Sequence, residues 1–354
     1  MKIRKVFFGL LAILLILALC ACGTPEETPT PTATPIPTQT AEPTPSPTPA
    51  PTTEPTPEPI PVLRSYTTGI PVQALSPYKP IGVMIENSPA ARPQYGLQAA
   101  DIVYEAPVEG CTRFFCIFND MLPEKVGPVR SARLYFIKIQ QEWDCAYVHF
   151  GGPESGKANV YKSSSNHIKT RIDFIKGRFN DYYWRDKGKK SPHNAFTDVQ
   201  KLQTLMEEEA KVRTFQFADT LQYTGTSISQ VVLPFNSGEV TYKYNAEKDV
   251  LERYMGGKPF TDAATKEVIT VKNLIVQYNH FYHGGEAKGR WLCDQLGSGK
   301  AAFFIGGKHI EGTWERESFE SPTIYKDGSG KEIVLQPGNT WIAVHPDSEE
   351  INFS

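Results

Sequence analysis

The sequence lacks the charge excess and the short motifs that mark several common classes of protein. Lys plus Arg number 37 and Asp plus Glu 39, and residues 62–354 hold 34 of each kind. Nonspecific nucleic-acid binding needs a clear excess of positive charge, so no nucleic-acid partner is expected. No P-loop, Gly-x-Gly-x-x-Gly, Gly-x-Ser-x-Gly, Cys-x-x-Cys or His-Glu-x-x-His motif occurs. The sequence therefore predicts no cofactor and no metal site.

An apolar run long enough to cross a membrane comfortably is also missing at the N-terminus. The run at 10–19 follows a basic start at 2–5, and a membrane-spanning helix needs about 20 apolar residues. Leu-Cys-Ala-Cys at 19–22 then matches a bacterial lipobox, with Ala21 just before the acceptor. We expect Cys22 to be acylated and to anchor the chain to the cell membrane on its extracytoplasmic side. A simple secretory signal or a short membrane anchor is the alternative.

Residues 23–61 contain no Lys, Arg or aromatic residue, but 14 prolines and 12 threonines. A segment with so few apolar side chains cannot offset the entropy that ordering costs. Proline biases it towards polyproline II, at about 3.1 Å per residue. We expect a disordered stalk that lifts the globular part from the bilayer. A ligand for an SH3-type domain is the alternative.

Four cysteines follow the two in the signal segment, at 111, 116, 145 and 293. The outside of a cell is oxidising and permits disulfides. Spacing alone cannot choose among the three possible pairings. The apolar neighbours of each cysteine favour buried free thiols, so both states stay open.

The remaining chain divides into two regions with different sequence patterns. In 62–213, buried strands are predicted near 81–85, 102–104, 113–118 and 145–150. Helical periodicity at 133–143 and a capping-box pattern that begins at Thr197 predict two helices. In 214–354, short β-rich runs alternate with glycine turns.

These patterns predict a fold of the α+β or α/β class. A mixed α/β N-terminal domain over 62–213 is followed by a mostly antiparallel β C-terminal domain over 214–354. The signal peptide with its lipobox covers 1–22, and the stalk covers 23–61.

The chain contains the motifs Pro-Ile-Gly-Val-Met-Ile-Glu-Asn at 80–87, Ala-Asp-Ile-Val-Tyr-Glu at 100–105, Gly-Pro-Val-Arg-Ser-Ala-Arg at 127–133, Pro-His-Asn at 192–194 and Pro-Gly-Asn-Thr-Trp at 337–341. Together they resemble the YerB-like lipoproteins, the family with domain of unknown function 3048. The resemblance covers essentially all of 62–354. It implies a bacterial surface lipoprotein of two regions and carries no activity with it.

Polar residues follow the ends of several predicted strands. Glu86 and Asn87 end the first strand, Glu105 the second, and His149 lies at the end of a later one. In open α/β sheets, ligands bind outside the carboxyl ends of the strands. If these strands are parallel, the four side chains converge on one site.

A second candidate lies in the phrase at 127–133, which enters a predicted helix. Ser131 is a plausible N-cap, and the N-terminus of a helix favours anions. Arg130 and Arg133 add bidentate donors for a carboxylate or phosphate. The alternative is an internal network in which these arginines pair with Glu86, Glu105 or Asp186.

A third candidate is the segment from Trp184 and Asp186 to His193 and Asn194. An aromatic ring beside charged and amide groups suits stacking on, and hydrogen bonding to, a sugar or peptide. A loop closed by its own hydrogen bonds is the alternative. Loops held by a scaffold often carry function.

The sequence favours a membrane-anchored lipoprotein that binds a polar or anionic ligand of the cell envelope. The expected partners, besides the membrane itself, are wall glycan, a peptide or an envelope protein. The alternative is an extracytoplasmic hydrolase or transferase on a wall polymer, with Glu86, Glu105, His149 or His193 as acid or base. A third reading is a scaffold whose polar clusters only stabilise the fold.

Overall fold

The computed structural model describes residues 62–162, 167–221, 223–235, 237–285 and 289–354. Cys22 and the proposed stalk at 23–61 lie outside these residues, so acylation and the stalk stay predictions. The strands among the described residues are β1 (Ile81–Glu86), β2 (Ile102–Val108), β3 (Cys111–Phe118), β4 (Ala146–His149), β5 (Arg171–Asp173), β6 (Tyr183–Arg185), β7 (Ala195–Thr197), β8 (Gln216–Phe217), β9 (Thr226–Ser227), β10 (Gln230–Leu233), β11 (Val240–Asn245), β12 (Val250–Met255), β13 (Lys258–Pro259), β14 (Thr270–Val271), β15 (Asn273–Asn279), β16 (Phe281–His283), β17 (Trp291–Cys293), β18 (Gly297–Ile305), β19 (Lys308–Arg316), β20 (Ile324–Asp327), β21 (Val334–Leu335), β22 (Thr340–Pro346) and β23 (Asn352–Phe353).

Two short α-helices accompany these strands. Helix α1 (Leu134–Trp143) buries an apolar stripe, and its C-cap is Asp144, which has a left-handed φ of 48°. Helix α2 (Val199–Gln203) begins after Asp198, whose carboxylate accepts from the Lys201 N–H. Asp198 is therefore the cap, whereas Thr197, the predicted start of a capping box, lies in β7.

The largest sheet takes strands from both halves of the chain. Its order is β20-β19-β18-β15-β22-β2-β3-β1-β4-β5, and β9 pairs with β19. The two halves meet where β2 lies parallel to β22. Strands on either side of residue 213 thus share one sheet.

Both faces of this large sheet are covered, because its central strands are apolar on both sides. One face, with Ile85 and Phe114, shares a core with residues of the second sheet, whose order is β13-β12-β11-β10-β23. The other face, with Met84 and Phe115, packs against Phe136 and the rest of the apolar stripe of α1. The result is three layers, with the large sheet in the middle.

The fold is predominantly β, with parallel and antiparallel pairs in one mixed sheet. The predicted α/β character of 62–213 is not clearly present. Among its described residues, α-helix is limited to the ten residues of α1 and the five of α2. The sequence pattern located the strands, but the long stretches between them form loops and short 3-10 turns rather than the crossover helices of an α/β fold. Within the described residues, no helix is long and apolar enough to span a membrane.

Candidate functional site

The strand directions bring the predicted strand-end residues to one edge of the large sheet. Strands β1 and β2 are both antiparallel to β3, and β4 and β5 run parallel to β1. The carboxyl ends of β1, β2, β4 and β5 therefore lie at the same edge. The faces differ, however. In the backbone register, Glu86 lies opposite Arg113 of β3, whereas Glu105 lies opposite Phe114 of the same strand. Because alternate residues point to opposite faces, Glu86 faces the α1 layer and Glu105 faces the second sheet.

Glu105 is closed off in the core between the two sheets. Its carboxylate accepts from Arg253 Nη2 at 2.9 and 3.1 Å and from the Thr112 hydroxyl at 2.7 Å. Trp341 Nε1 donates to the same carboxylate at 3.1 Å. Neither Glu105 nor Arg253 is exposed to solvent. Glu105 therefore has no atom with which to meet a substrate, and its predicted part in an acid–base pair is structurally unsupported.

Arg253 shows why this pair is stable although it is fully buried. Its guanidinium carbon lies 4.1 Å from the ring centroid of Phe260 and 5.1 Å from that of Trp341. Aromatic faces attract the cation and cover the nitrogens that the carboxylate does not reach. The second sheet supplies this arginine from β12, so the pair fastens the two sheets together.

Asn87 is also fully buried and belongs to the same internal network. Its amide nitrogen donates to the Thr112 hydroxyl at 2.7 Å, and its carbonyl oxygen accepts from Arg92 Nε at 3.1 Å and Gln94 Nε2 at 3.0 Å. Donor and acceptor are both occupied within the protein. Asn87 thus shapes the turn after β1 rather than offering a group to a ligand.

His149 is buried and its two ring nitrogens are occupied. Nδ1 lies 2.8 Å from the Gly151 carbonyl, and Arg171 Nε donates to Nε2 at 3.0 Å. These partners assign the proton to Nδ1. Burial is the largest cause that lowers the pKa of His149, to about 4, against the opposing charge of Asp173. His149 is a neutral structural histidine, so the geometry offers no support for it as acid or base.

Glu86, Arg130 and His193 come together at the open edge. Arg130 Nε lies 3.1 Å from Glu86 Oε2, and His193 Nδ1 lies 2.8 Å from the same oxygen. The Ser88 hydroxyl donates to Glu86 Oε1 at 3.0 Å. The carboxylate is nearly buried, while the side chains of Arg130 and His193 are 27% and 23% exposed. A buried carboxylate thus holds two cationic or proton-bearing side chains that reach solvent.

Ser131 and Arg133 do not serve in the way the sequence suggested. The cap position of α1 is Arg133, and the Ser131 hydroxyl donates to the Phe150 carbonyl at 3.0 Å. Ser131 as N-cap is therefore wrong. Arg133 Nε donates to both oxygens of Glu109, at 3.2 and 3.1 Å. That internal ion pair, with a glutamate not foreseen from sequence, occupies Arg133.

The loop of 184–194 lies beside the Glu86 cluster through His193. Trp184 is 39% exposed and stacks on Phe196 with ring centroids 6.5 Å apart. Asp186 accepts from Lys125 Nζ at 2.7 Å, and the Asn194 side-chain oxygen accepts from Arg185 Nη1 at 2.8 Å. The loop is therefore held by internal bonds and by Lys125, and the Trp184 ring is its partly exposed aromatic group.

Sequence reasoning missed two arginines at this end of the sheet. Arg253 lies 148 residues from the carboxylate that it pairs with, so no local pattern signals it. Arg113 begins an otherwise apolar run in β3, and its single charge in a strand buried on both faces was the available signal. A cavity of about 510 Å³ lies elsewhere, with Glu142, Arg213 and Phe215 in its wall, and none of the predicted site residues lines it.

Two family models match this chain. The N-terminal and C-terminal domains of the protein of unknown function DUF3048 match residues 67–213 and 231–342. A relative from Bacillus subtilis (strain 168), named "Putative lipoprotein YerB", is 31% identical over 306 residues, which cover 82% of this chain and 89% of the relative. The crystal structure of YerB from Bacillus subtilis matches with a TM-score of 0.71 at 29% identity, over 82% of this chain and 99% of that one. The chain therefore belongs to the DUF3048 family, as the phrases in its sequence indicated.

Proposed function

We propose that this protein is a membrane-anchored lipoprotein that binds a polar or anionic ligand of the cell envelope at the Glu86–Arg130–His193 edge. The relative named as a lipoprotein supports the anchor, in agreement with the lipobox at Cys22. Wall glycan, a peptide or another envelope protein is the proposed partner, met on the extracytoplasmic side.

One observation carries the binding proposal, namely the free polar atoms of two side chains that a buried carboxylate holds in place. Arg130 Nε is buried at 3.1 Å from Glu86 Oε2, an ion pair without hydrogen-bond geometry. His193 is held through Nδ1. The Nη groups of Arg130 and Nε2 of His193 therefore remain for a ligand. Side chains fixed in this way lose little entropy on binding, which favours affinity.

The neighbouring loop adds a stacking surface to these donors. Trp184 presents an exposed ring, and Arg185 places its guanidinium 4.6 Å from the Phe150 ring centroid. Aromatic faces pack well against the apolar faces of sugars and peptides, while guanidinium groups bind carboxylates and phosphates. The combination suits a ligand that has both a flat, weakly polar part and an anionic group.

The second candidate function is hydrolysis or group transfer on a wall polymer, and the hydrogen bond between His193 and Glu86 favours it. Glu86 accepts from Nδ1 at 2.8 Å, which leaves the lone pair of the neutral ring on Nε2. Such a nitrogen can take a proton from a water molecule while the water oxygen bonds to the substrate. The same nitrogen can then give the proton to the leaving group. Ser88 lies on the Nδ1 side, 3.4 Å away, so it is not placed as the nucleophile of a triad.

The test is binding of the full chain in detergent to soluble peptidoglycan fragments and to polyol-phosphate wall polymers. Arg130→Gln and His193→Gln are compared with wild type, and His167→Gln serves as the matched control, because His167 is exposed. We expect each site variant to weaken binding roughly tenfold or more, since a lost bond to a charged partner costs about 1.5–3 kcal/mol. Release of product during the incubation, lost in His193→Gln, supports the enzyme instead.

A further inference from the structure

Arg113 is a buried arginine without a counter-ion. It is 5% exposed, and its Nη1 donates to the Ser131 carbonyl at 2.8 Å. Among the described residues, no carboxylate oxygen lies within 4.0 Å of its guanidinium, and its buried Nε has no partner. A buried charge with nothing opposite it is strongly unfavourable. Its retention needs an explanation that the fold alone does not give.

The groups around Arg113 increase this imbalance. Burial and the neighbouring charges of Arg133 and Arg130 lower the pKa of Arg113 to about 10. The nearby carboxylates are already engaged, since Glu86 holds Arg130 and His193, and Glu109 holds Arg133. Three arginines therefore face two carboxylates, and one positive charge is left over.

The N-terminus of α1 meets the same spot. The Ser131 carbonyl that Arg113 bonds lies two residues before Arg133, the cap position of this ten-residue helix. The cap makes no side-chain hydrogen bond, and the first turn contains no acidic residue. The first backbone N–H groups of a helix are unsatisfied and carry a partial positive charge. The Arg113 guanidinium thus lies near the start of α1, where the Glu109 carboxylate is already bound by Arg133.

We propose that Arg113, together with the N-terminus of α1, forms a subsite for the phosphoryl group of an envelope polymer. The inference rests on the proposed function and names the chemical class of its ligand, a phosphate ester. A tetrahedral oxyanion accepts from the Arg113 fork and from backbone N–H groups at once, which is how helix N-termini bind phosphate. Arg130, adjacent to the subsite, then contacts the part of the ligand that extends towards His193 and Trp184.

The experiment titrates the full chain in detergent with inorganic phosphate, then with acetate, and finally with a polyol-phosphate oligomer. Arg113→Gln and Arg113→Lys are compared with Arg64→Gln, in which a partly exposed arginine paired with Asp219 is lost. Isothermal titration gives affinities, and thermal unfolding with and without phosphate gives a second readout. The lysine variant keeps the charge but not the fork, so it decides the matter if Arg113→Gln does not fold.

Phosphate should bind wild type and Arg64→Gln alike, bind at least tenfold more weakly to both Arg113 variants, and exceed acetate in affinity. The melting temperature should rise with phosphate in wild type but not in Arg113→Gln. Binding of phosphate without the oligomer identifies free phosphate as the source and keeps the subsite. Equal phosphate binding by wild type and Arg113→Lys, or no phosphate binding by wild type, overturns it. Polymer binding that depends on Arg130 and His193 but not on Arg113 leaves the proposed function intact and removes only the subsite.

Discussion

Glu105 and Glu86 lie on two strands that flank β3, and each buried carboxylate holds an arginine, but the arginine of Glu105 is closed off from solvent whereas that of Glu86 reaches it. Glu105 lies between two sheets, and all of its bonds end on protein groups. Glu86 lies at the sheet edge and holds two side chains that reach solvent. Paired charge therefore does not identify a site. What distinguishes the two clusters is whether polar atoms remain for something outside the protein.

The largest change in stability is expected at the closed cluster, which consists of Glu105 with Arg253, Thr112 and Trp341. Glu105→Gln leaves Arg253 buried without its counter-ion, and breaking a buried pair in this way costs about 3–5 kcal/mol. The free energy of unfolding, measured by denaturant titration, should fall by that amount. The double variant Glu105→Gln with Arg253→Met should recover much of the loss, because both charges are gone. A loss below about 1 kcal/mol in the single variant would contradict a structural role.

The next effect concerns pH and the buried histidine. In the folded state the pKa of His149 is lowered to about 4, and it is about 6.5 in an unfolded chain. Between these values the unfolded state binds more protons, so stability rises with pH. The contribution is present above about pH 6.5 and is lost towards pH 4, to the extent of about 3 kcal/mol.

The measurement for His149 is the difference in unfolding free energy between wild type and His149→Gln across pH 4–7. A difference is needed because burial raises the pKa of Asp101 to about 7, which makes stability fall as pH rises through the same window. The wild-type excess should grow with pH. A difference that does not change with pH would show that His149 is accessible to protons and belongs with the open cluster of Glu86, Arg130 and His193.

At the open cluster, stability should change little while binding changes much. Arg130→Gln and His193→Gln each remove one partly exposed partner of the buried Glu86 carboxylate, which keeps its other partners. Losing one of several bonds in this way costs about 0.5–1.5 kcal/mol. We expect melting temperatures within a few degrees of wild type and roughly tenfold weaker binding of wall fragments. A drop in stability as large as that of Glu105→Gln would place this cluster in the same structural class.

The smallest effect is expected from Trp184→Ala. The ring is 39% exposed and has Phe196 as its stacked neighbour, so we expect a loss of about 1 kcal/mol of stability or less. Binding of a ligand with a sugar face should weaken, whereas binding of inorganic phosphate should not. Equal weakening for both ligands would show that the loop orients His193 rather than stacking on the ligand.

The sequence predicted strands β1 to β4 well because each contains a continuous apolar run. Such a run needs burial on both faces, which a central strand of a covered sheet provides. The sequence also predicted both helices, but it assigned 62–213 to the α/β class, although α1 and α2 together contribute only 15 helical residues to the described part of that region. It also placed the cap of α1 at Ser131, although the chain turns into the helix two residues later, at Arg133.

The candidate site was predictable in its members but not in its division. Glu86 and His193 lie 107 residues apart. Glu86 was named because it ends a predicted strand, and His193 because it lies in the polar segment that follows Trp184. Their separation from Glu105 depends on strand register, which sets the face of each side chain and which sequence alone does not give. Arg253 was missed because its partner, Glu105, lies 148 residues away. Arg113 was missed because its distinguishing feature is the lack of a counter-ion among the described residues, which no sequence pattern shows.

The most direct test of this division is a paired measurement of binding and melting temperature on His193→Gln and Glu105→Gln in the full chain. The ligand is a soluble polyol-phosphate or peptidoglycan fragment that binds wild type. His193→Gln should lose binding and keep its melting temperature, and Glu105→Gln should melt several degrees lower while the fraction still folded binds. Normal binding by His193→Gln, together with a lowered melting temperature, would contradict the account and make both clusters structural.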